Sequence, residues 1–195
     1  MSVRILAFSD LHCDERRARE LVERSRAVDV VVGAGDFARV HRGLESTIDL
    51  LKAIDKPTVL VPGNNETDRA LREACAGWPT AHVLHGEAVE IDGRTFFGLG
   101  GGIPETPWDW SHDLSEQEAE ALLDAMPEGA VLVVHSPPHG HCDDGLGSRA
   151  ILRAIERKRP PLCVCGHVHQ CWGQESRVDG TLVANLGPEG RIFEL

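Results

Sequence analysis

Five short and nearly continuous apolar runs restrict the fold of this chain more than any other feature of its sequence. They read VRILAFSD, VDVVVGAGD, PTVLVPGNN, AVLVVHSPP and PLCVCGHVH, and each is long enough for one β-strand. Strands with apolar side chains on both sides are typical of sheets whose two faces are both covered. The five runs therefore predict strands in the interior of the protein.

Segments with helical character separate several of these runs, and shorter alternating strands follow others. We expect helices over residues 14–27, 40–54, 67–75, 115–125 and 148–157, and shorter strands over 88–91, 95–99, 176–178, 182–184 and 191–193. Ser115 and Glu118 form a capping-box pattern, and VDGT reads as a hairpin turn. The alternation predicts an α/β fold of two packed sheets flanked by helices, in one domain over residues 1–195.

The composition limits the partners that the chain can have. Its formal net charge is -11, whereas proteins that hold long nucleic acid by its phosphates usually present a basic face. We therefore expect no stable binding of duplex nucleic acid. No apolar stretch approaches the length of a membrane span, and the first apolar run leads directly into Asp10. We expect a cytoplasmic protein without a membrane partner.

The five strong runs all end in, or are followed by, side chains that can bind a metal ion. These residues are Asp10, His12, Asp36, Asn64, His135, His167 and His169. Ligands of open α/β sheets bind outside the carboxyl ends of the strands, so the seven side chains converge if the strands are parallel neighbours. Each alone could be an ordinary turn or cap residue, but five such strand ends are hard to explain as turns.

Five short blocks along the chain resemble the calcineurin-like metallophosphoesterases, and in particular their small single-domain phosphodiesterase-type members. The blocks are DLH, GD, GNNE, VHSPP and GHVH, in this order, and the resemblance extends to NLGP at residues 185–188. It implies a sandwich of two mixed β-sheets flanked by helices, with four layers in the order α/β/β/α. It also implies a phosphoesterase with a dinuclear metal site.

The resemblance assigns each candidate ligand to one of two divalent ions. Asp36 would bridge both ions, with Asp10, His12 and His169 on the first and Asn64, His135 and His167 on the second. Imidazole, carboxylate and amide donors suit manganese, iron, zinc, cobalt or nickel, and we expect manganese. The implied reaction is hydrolysis of a small phosphodiester by a metal-bridging hydroxide, with Asp36 and Asn64 in catalytic roles.

Asn65 departs from the family pattern, in which a histidine thought to protonate the leaving group follows the asparagine ligand. An asparagine can hydrogen-bond a phosphate oxygen but cannot supply a proton near neutral pH. We therefore expect Asn65 to contact substrate in the catalytic site, while Glu66 orients Asn65 or caps the next helix. The chain could be a phosphodiesterase that works without this acid, or a non-catalytic interaction module on the same fold. The complete donor set favours the enzyme.

Three further residues are candidate substrate contacts. His139 and His141 follow the run that contains His135, although they could equally be surface residues. Trp108 lies in the long irregular stretch 100–112 and could stack on a nucleobase, or could simply pack that loop onto the protein. The alternatives to a phosphodiesterase are a phosphomonoesterase and a single-strand nuclease, and the sequence leaves the oligomeric state open.

Overall fold

The five apolar runs form neighbouring strands at the centres of two β-sheets in the computed structural model, which describes residues 2–195. The strands are β1 (Arg4–Phe8), β2 (Val30–Ala34), β3 (Thr58–Val61), β4 (Ala81–Val83), β5 (Glu87–Ile91), β6 (Arg94–Leu99), β7 (Val131–Val134), β8 (Leu162–Cys165), β9 (Glu175–Val178), β10 (Thr181–Asn185) and β11 (Arg191–Glu194). The helices are α1 (Glu15–Ser25), α2 (Leu44–Leu51), α3 (Asp68–Ala74), α4 (Glu116–Leu123) and α5 (Arg149–Lys158).

Both sheets are mixed, with parallel strands in the middle and antiparallel strands at their edges. The first sheet has the order β11-β1-β2-β3-β4, and only β11 runs antiparallel to its neighbour. The second has the order β5-β6-β7-β8-β10-β9, with β5 and β9 antiparallel at the two edges. The parallel strands of each sheet therefore end at a common edge, where their following loops can meet.

The alternating side chains of each strand divide the apolar interior into layers. Ile5 of β1 faces the second sheet and shares a cluster with Val133 of β7. Leu6, on the opposite face of β1, belongs to the cluster formed with helices α1, α2 and α3. Helices α4 and α5 cover the outer face of the second sheet. The predicted four-layer α/β/β/α sandwich is confirmed, whereas the single-domain organisation stays a prediction.

The second helix begins later than the sequence predicts. It begins at Leu44 rather than near residue 40, because Val40 and His41 have left-handed φ angles of 47° and 61°. These two residues form the centre of a tight turn, in which the backbones of Arg39 and Arg42 exchange hydrogen bonds of 3.0 and 3.1 Å. Left-handed residues at both central positions characterise a hairpin turn. We call residues 39–42 the arginine turn.

The helices are short. The longest, α1, has 11 residues, whereas a membrane-spanning helix needs about 20. Among residues 2–195, no helix combines the length and the apolar character that crossing a membrane requires.

Candidate metal centre

The seven candidate ligands all follow the carboxyl ends of β1, β2, β3, β7 and β8, as the sequence predicts. The donor atoms of Asp10, Asp36 and His135 lie within 4.8 Å of one another, and so do those of Asp10, His12 and His169. Asp10, Asp36 and His135 are buried, with at most 2% of their surface exposed. Buried carboxylates without compensating charge are strongly unfavourable, so this cluster has the character of a binding site.

Several of these residues adopt a backbone conformation that L-amino acids disfavour. The φ angles are 55° for Asp10, 45° for His12, 59° for Asp36 and 67° for His167. Such residues are strained by roughly 1–3 kcal/mol each and cluster at functional sites. Here the left-handed turns reverse the chain at the strand ends and direct the side chains toward one another.

Two glycines allow neighbouring loops to approach the carboxylates closely. A Cβ atom at Gly63 would lie 2.0 Å from Oδ1 of Asp36, and one at Gly166 would lie 2.4 Å from Oδ2 of Asp10. Any side chain at either position would displace a carboxylate of the cluster. This explains why GNNE and GHVH both begin with glycine.

His135 presents a lone pair to two other acceptor groups. Its Nδ1 lies 2.8 Å from the carbonyl oxygen of Ala34 and can only donate there, so the neutral ring has its lone pair on Nε2. That Nε2 lies 3.4 Å from Oδ1 of Asp36 and 3.3 Å from Oδ1 of Asn64. Acceptors that face one another in this way need a proton or a metal cation between them.

His12 and His169 form a second group of the same kind. Nδ1 of His12 lies 3.2 Å from the carbonyl oxygen of Ala38, which leaves its Nε2 as the acceptor. That Nε2 lies 3.2 Å from Nε2 of His169 and 3.5 Å from Oδ2 of Asp36, and Nε2 of His169 lies 3.6 Å from Oδ1 of Asp10. The mixture of imidazole, carboxylate and amide donors fits divalent transition-metal ions.

The pKa values of the cluster indicate that its electrostatic environment favours a bound positive charge. Burial lowers the pKa of His135, but the carboxylates of Asp36 and Asp10 outweigh it and raise the value to about 9. Burial and the neighbouring His135 lower the pKa of His167 to about 4. Burial opposes ionisation of Asp36, but His135 and His12 hold its pKa well below the usual range. The carboxylate of Asp36 is therefore ionised, and the neighbouring His135 tends to hold a proton. A divalent cation can replace that proton, because metal binding displaces protons from its ligands.

A chain of hydrogen bonds fixes the side chain of Asn64. Its Nδ2 donates to Oγ of Ser111 at 2.9 Å, and this hydroxyl donates to Oδ1 of Asp113 at 2.6 Å. The amide oxygen is thereby turned toward His135. Ser111 and Asp113 were not predicted from the sequence, although the unusual length of the loop before α4 is a signal that could have indicated them.

Glu66 has a different role from the one that the sequence suggests. Its carboxylate accepts hydrogen bonds from the backbone N–H groups of Asp36, Phe37, Ala38 and Gly63, at 2.8, 3.3, 2.9 and 2.8 Å. Helix α3 is capped instead by the side chain of the following residue, a threonine. The prediction that Glu66 orients Asn65 or caps the helix is therefore wrong. Glu66 instead joins the loops after β2 and β3.

Asn65 connects the cluster to the arginine turn. Its Nδ2 donates to Oδ2 of Asp36 at 2.7 Å, and its Oδ1 accepts from the N–H of Val40 at 2.8 Å. Its backbone oxygen accepts from the N–H of His41 at 2.9 Å. The side chain thus holds two loops together, and its direct contact with a phosphate stays a prediction.

An open cavity of about 520 Å³ lies over the cluster. It is lined by His12, Asp36, Arg39, Asn64, Asn65, Trp108, Trp110, Leu146, His167, Val168, His169 and Gln170. Trp108 and Trp110 stack with their ring centroids 5.5 Å apart, and Trp108 is 51% exposed. Trp108 is thus placed where it could contact a substrate. Arg39, which was not predicted from the sequence, lies in the same cavity wall.

The two loop histidines proposed as substrate contacts are not in this lining. Nδ1 of His139 lies 3.8 Å from Oδ2 of Asp143, and Nδ1 of His141 lies 3.0 Å from Oγ of Ser176 at the sheet edge. Both therefore have structural partners outside the cavity, and their contact with substrate stays a prediction.

Comparison with known protein families places the chain in one of them. Residues 3–171 match the model of the calcineurin-like phosphoesterase family. A curated relative, the UPF0046 protein K07C11.7 of Caenorhabditis elegans, is 33% identical over 178 residues. This alignment covers 80% of the present chain and 61% of the relative, so the chain spans about three fifths of that protein's length.

Solved structures share the fold at low sequence identity. The protein TT1561 of Thermus thermophilus superposes with a TM-score of 0.79 at 19% identity, covering 97% of this chain and 91% of that one. A dimetal phosphatase from Danio rerio superposes with a TM-score of 0.66 at 15% identity, covering 95% and 88% of the two chains. At these identities the likeness extends to the fold alone.

Proposed function

The chain belongs to the calcineurin-like phosphoesterase family, and we propose that it is a metal-dependent phosphodiesterase that acts on small phosphate esters. One observation carries the preference for diesters. The cavity is lined by five of the seven candidate metal ligands, and none of its other described lining residues can act as a general acid near neutral pH. A catalyst of this composition depends on charge stabilisation rather than on general acid catalysis.

We propose two divalent cations in the cluster, with manganese as the preferred metal. Asp10, His12 and His169 would hold one ion, Asn64, His135 and His167 the other, and Asp36 would bridge them. The two groups of facing acceptor atoms support this division, because His12 and His135 approach different oxygens of the same Asp36 carboxylate. When bound, such ions supply Lewis acidity that activates water and neutralises phosphoryl oxygens.

The protein's own residues fix the positions of these donors. Ala34 and Ala38 accept hydrogen bonds from Nδ1 of His135 and His12, and thus direct both Nε2 atoms into the cluster. Such outer contacts hold the tautomer and orientation of a ligating imidazole. Asn65 donates to the Asp36 carboxylate and keeps it in place between the two groups.

The absence of an acid favours esters with good leaving groups. Asn65 cannot act as a general acid near neutral pH. The carboxylate and the imidazoles that line the cavity are all proposed metal ligands. General acid catalysis typically contributes 10²–10⁴-fold, and its loss matters most for basic leaving groups. A diester also brings a single negative charge to the site, whereas a monoester brings two.

The net charge of -11 favours a small substrate over a long polyanion. Duplex nucleic acid would be repelled by the whole protein, while a small ester responds mainly to the local field of the site. We expect a cytoplasmic enzyme whose turnover of a small diester exceeds that of duplex DNA at low salt. Efficient and salt-sensitive binding of duplex DNA would contradict this expectation.

The experiment that tests the proposal is a screen of matched esters with one metal at a time. Bis(4-nitrophenyl) phosphate and 4-nitrophenyl phosphate share a leaving group, so their kcat/KM ratio compares diester with monoester directly. We expect the diester to be favoured and manganese to support the highest rate. A larger value for the monoester would identify a phosphomonoesterase, and cleavage of single-stranded homopolymers would identify a nuclease.

A second measurement separates the enzyme from a non-catalytic interaction module. The metal content of the protein, purified after loading with manganese, should approach two ions per chain if the donor set is functional. Little bound metal, together with no turnover of any ester, would support the interaction module.

A further inference from the structure

A second cavity lies directly beside the metal centre. It measures about 570 Å³ and is lined by His12, Cys13, Arg39, Val40, Arg42 and Gly43. His12 and Arg39 line both cavities, so the two form neighbouring parts of one surface. A substrate with its scissile phosphate at the metal centre can therefore extend into the second cavity.

The arginine turn brings two guanidinium groups to this second cavity. Within residues 2–195, the guanidinium groups of Arg39 and Arg42 have no hydrogen-bond or salt-bridge partner, and both residues are exposed. This contrasts with α1, where Arg16 and Arg17 pair with Glu20. The chain has 31 acidic and 20 basic residues apart from histidine, so acidic partners are abundant. Two neighbouring arginines without partners form a local positive region in an acidic protein.

The turn that carries these arginines is held in a definite position. Asn65 accepts a hydrogen bond from the N–H of Val40, and Nε2 of His41 lies 2.6 Å from the carbonyl oxygen of Trp110. A left-handed β-branched residue such as Val40 is a rare conformation, which persists only where surrounding contacts impose it. Asn65, which also donates to Asp36 of the metal centre, thus helps to fix the backbone that carries both arginines.

We propose that Arg39 and Arg42 form an anion subsite that binds a second negatively charged group of the substrate. This inference rests on the proposed function, because the first charged group is the phosphodiester at the metal centre. A guanidinium binds phosphate and carboxylate oxygens through two parallel N–H bonds. The substrate class is thus a phosphodiester that carries an additional phosphate or carboxylate. Trp108, which lines the first cavity, would accommodate a planar or apolar group of the same substrate.

The test compares two esters that differ only in the second charge. Both are 4-nitrophenyl esters of thymidine 5′-phosphate, one with a free 3′-hydroxyl and one with a 3′-phosphate, and the release of 4-nitrophenolate reports the same bond. We expect the wild-type protein to prefer the 3′-phosphorylated ester. In the double variant Arg39→Gln, Arg42→Gln this preference should fall about tenfold or more, since hydrogen bonds to charged groups are typically strong.

A charge-matched control distinguishes the subsite from the general field of the protein. The double variant Arg94→Gln, Arg159→Gln removes the same two charges at positions outside both cavities, and it should keep the wild-type preference. The variant Arg39→Lys, Arg42→Lys keeps the charge but loses the paired geometry, and it should retain part of the preference. An equal fall in the control variant would overturn the proposal.

Binding of inorganic pyrophosphate and orthophosphate, measured by calorimetry with manganese present, provides a readout that does not require turnover. We expect the arginines to strengthen pyrophosphate binding about tenfold or more and to affect orthophosphate less. If no ester is turned over but pyrophosphate binding depends on the arginines, the phosphodiesterase proposal fails and the anion subsite stands. If esters are turned over but neither the ester preference nor pyrophosphate binding depends on Arg39 and Arg42, the anion subsite is refuted alone.

Discussion

Replacement of Glu66 should destabilise the protein more than any change at an exposed carboxylate. The side chain is 1% exposed, and its carboxylate accepts four backbone N–H groups from the loops after β2 and β3. The variant Glu66→Ala leaves these four donors without a partner. Each buried unsatisfied donor costs about 1–3 kcal/mol, so the gross loss is about 4–12 kcal/mol.

Part of this loss is offset, because burial of the Glu66 carboxylate away from water itself costs free energy in the native protein. Burial, with the nearby Asp36 carboxylate, raises the pKa of Glu66 to about 7 despite its N–H donors. Removing the group recovers that desolvation energy, and water can enter the vacated space. We therefore expect the net loss for Glu66→Ala to lie near the lower end of the gross range, at about 4 kcal/mol in the free energy of unfolding.

The variant Glu66→Gln should lose about half as much, for a geometric reason. Oε1 accepts from Asp36, Phe37 and Gly63, while Oε2 accepts only from Ala38. A glutamine with its carbonyl oxygen at the Oε1 position keeps three bonds and opposes one N–H with its own N–H₂ group. We expect a loss of about 2 kcal/mol, in line with one unsatisfied donor and three weakened bonds.

The measurement is urea unfolding followed by circular dichroism in a chelating buffer, since bound metal would add its own stabilisation. Glu73→Ala provides the control, because the Glu73 carboxylate pairs only with Arg69 among residues 2–195. Loss of this surface pair should change the free energy of unfolding by less than about 1 kcal/mol. The reasoning is refuted if Glu66→Gln is as stable as the wild type. Equal losses for Ala and Gln would also refute the assignment of three bonds to one oxygen.

Three other predictions concern the cluster, the cavity and a buried loop carboxylate. Asp36→Ala should bind fewer metal ions than the wild type by more than one per chain, and full metal content by mass spectrometry with normal turnover would refute the bridging role. Trp108→Ala should lower kcat/KM for the 4-nitrophenyl ester of thymidine 5′-phosphate about tenfold. Ethyl 4-nitrophenyl phosphate, which has the same leaving group but no nucleobase, should be unaffected, and an equal loss for both esters would refute stacking. For Asp143, burial opposes ionisation, but backbone N–H groups of its own loop, together with His139, lower the pKa below 3.8. The ionised form thus contributes stability that is present above pH 3.8 and lost as the pH falls through the folded pKa. The difference in free energy of unfolding between wild type and Asp143→Asn, measured by urea unfolding, should therefore shrink below about pH 4. A difference that does not depend on pH would contradict the assignment.

The strands with the strongest signal could be predicted because their side chains are apolar on both faces. The run before Asp10 and the run before Asp36 are apolar on both faces, which favours a sheet that is covered on both sides. The carboxyl ends of these strands then indicate where the candidate ligands converge. Strand β4 was not predicted, because its three residues, Ala81–Val83, are too few to show a strand-like alternation of apolar and polar side chains. It forms only because its backbone pairs in register with β3.

The candidate ligands could be predicted from residue type, whereas their supporting contacts could not. One histidine or aspartate at a strand end is ambiguous, but the recurrence of such residues at five strand ends indicates a common site. The bonds of Ser111 to Asn64 and of Glu66 to four backbone groups depend on loops that are far apart in sequence. Arg39 and Arg42 have no acidic partner among residues 2–195, and this too depends on which side chains the fold brings near them.

The arginine turn also restricts the order in which this sequence can change during evolution. Val40 and His41 are poor residues for a left-handed turn, where asparagine and glycine are preferred, and Asn65 supplies two of the contacts that hold them there. Substitution of Asn65 by histidine, the residue of the family pattern, would remove the hydrogen bond that the Asn65 side chain accepts from the N–H of Val40 while the turn still depends on it. The exchange becomes tolerable once the turn itself has acquired favourable residues. Position 65 is therefore epistatic to positions 40 and 41, and its history should be visible as paired rather than independent substitutions.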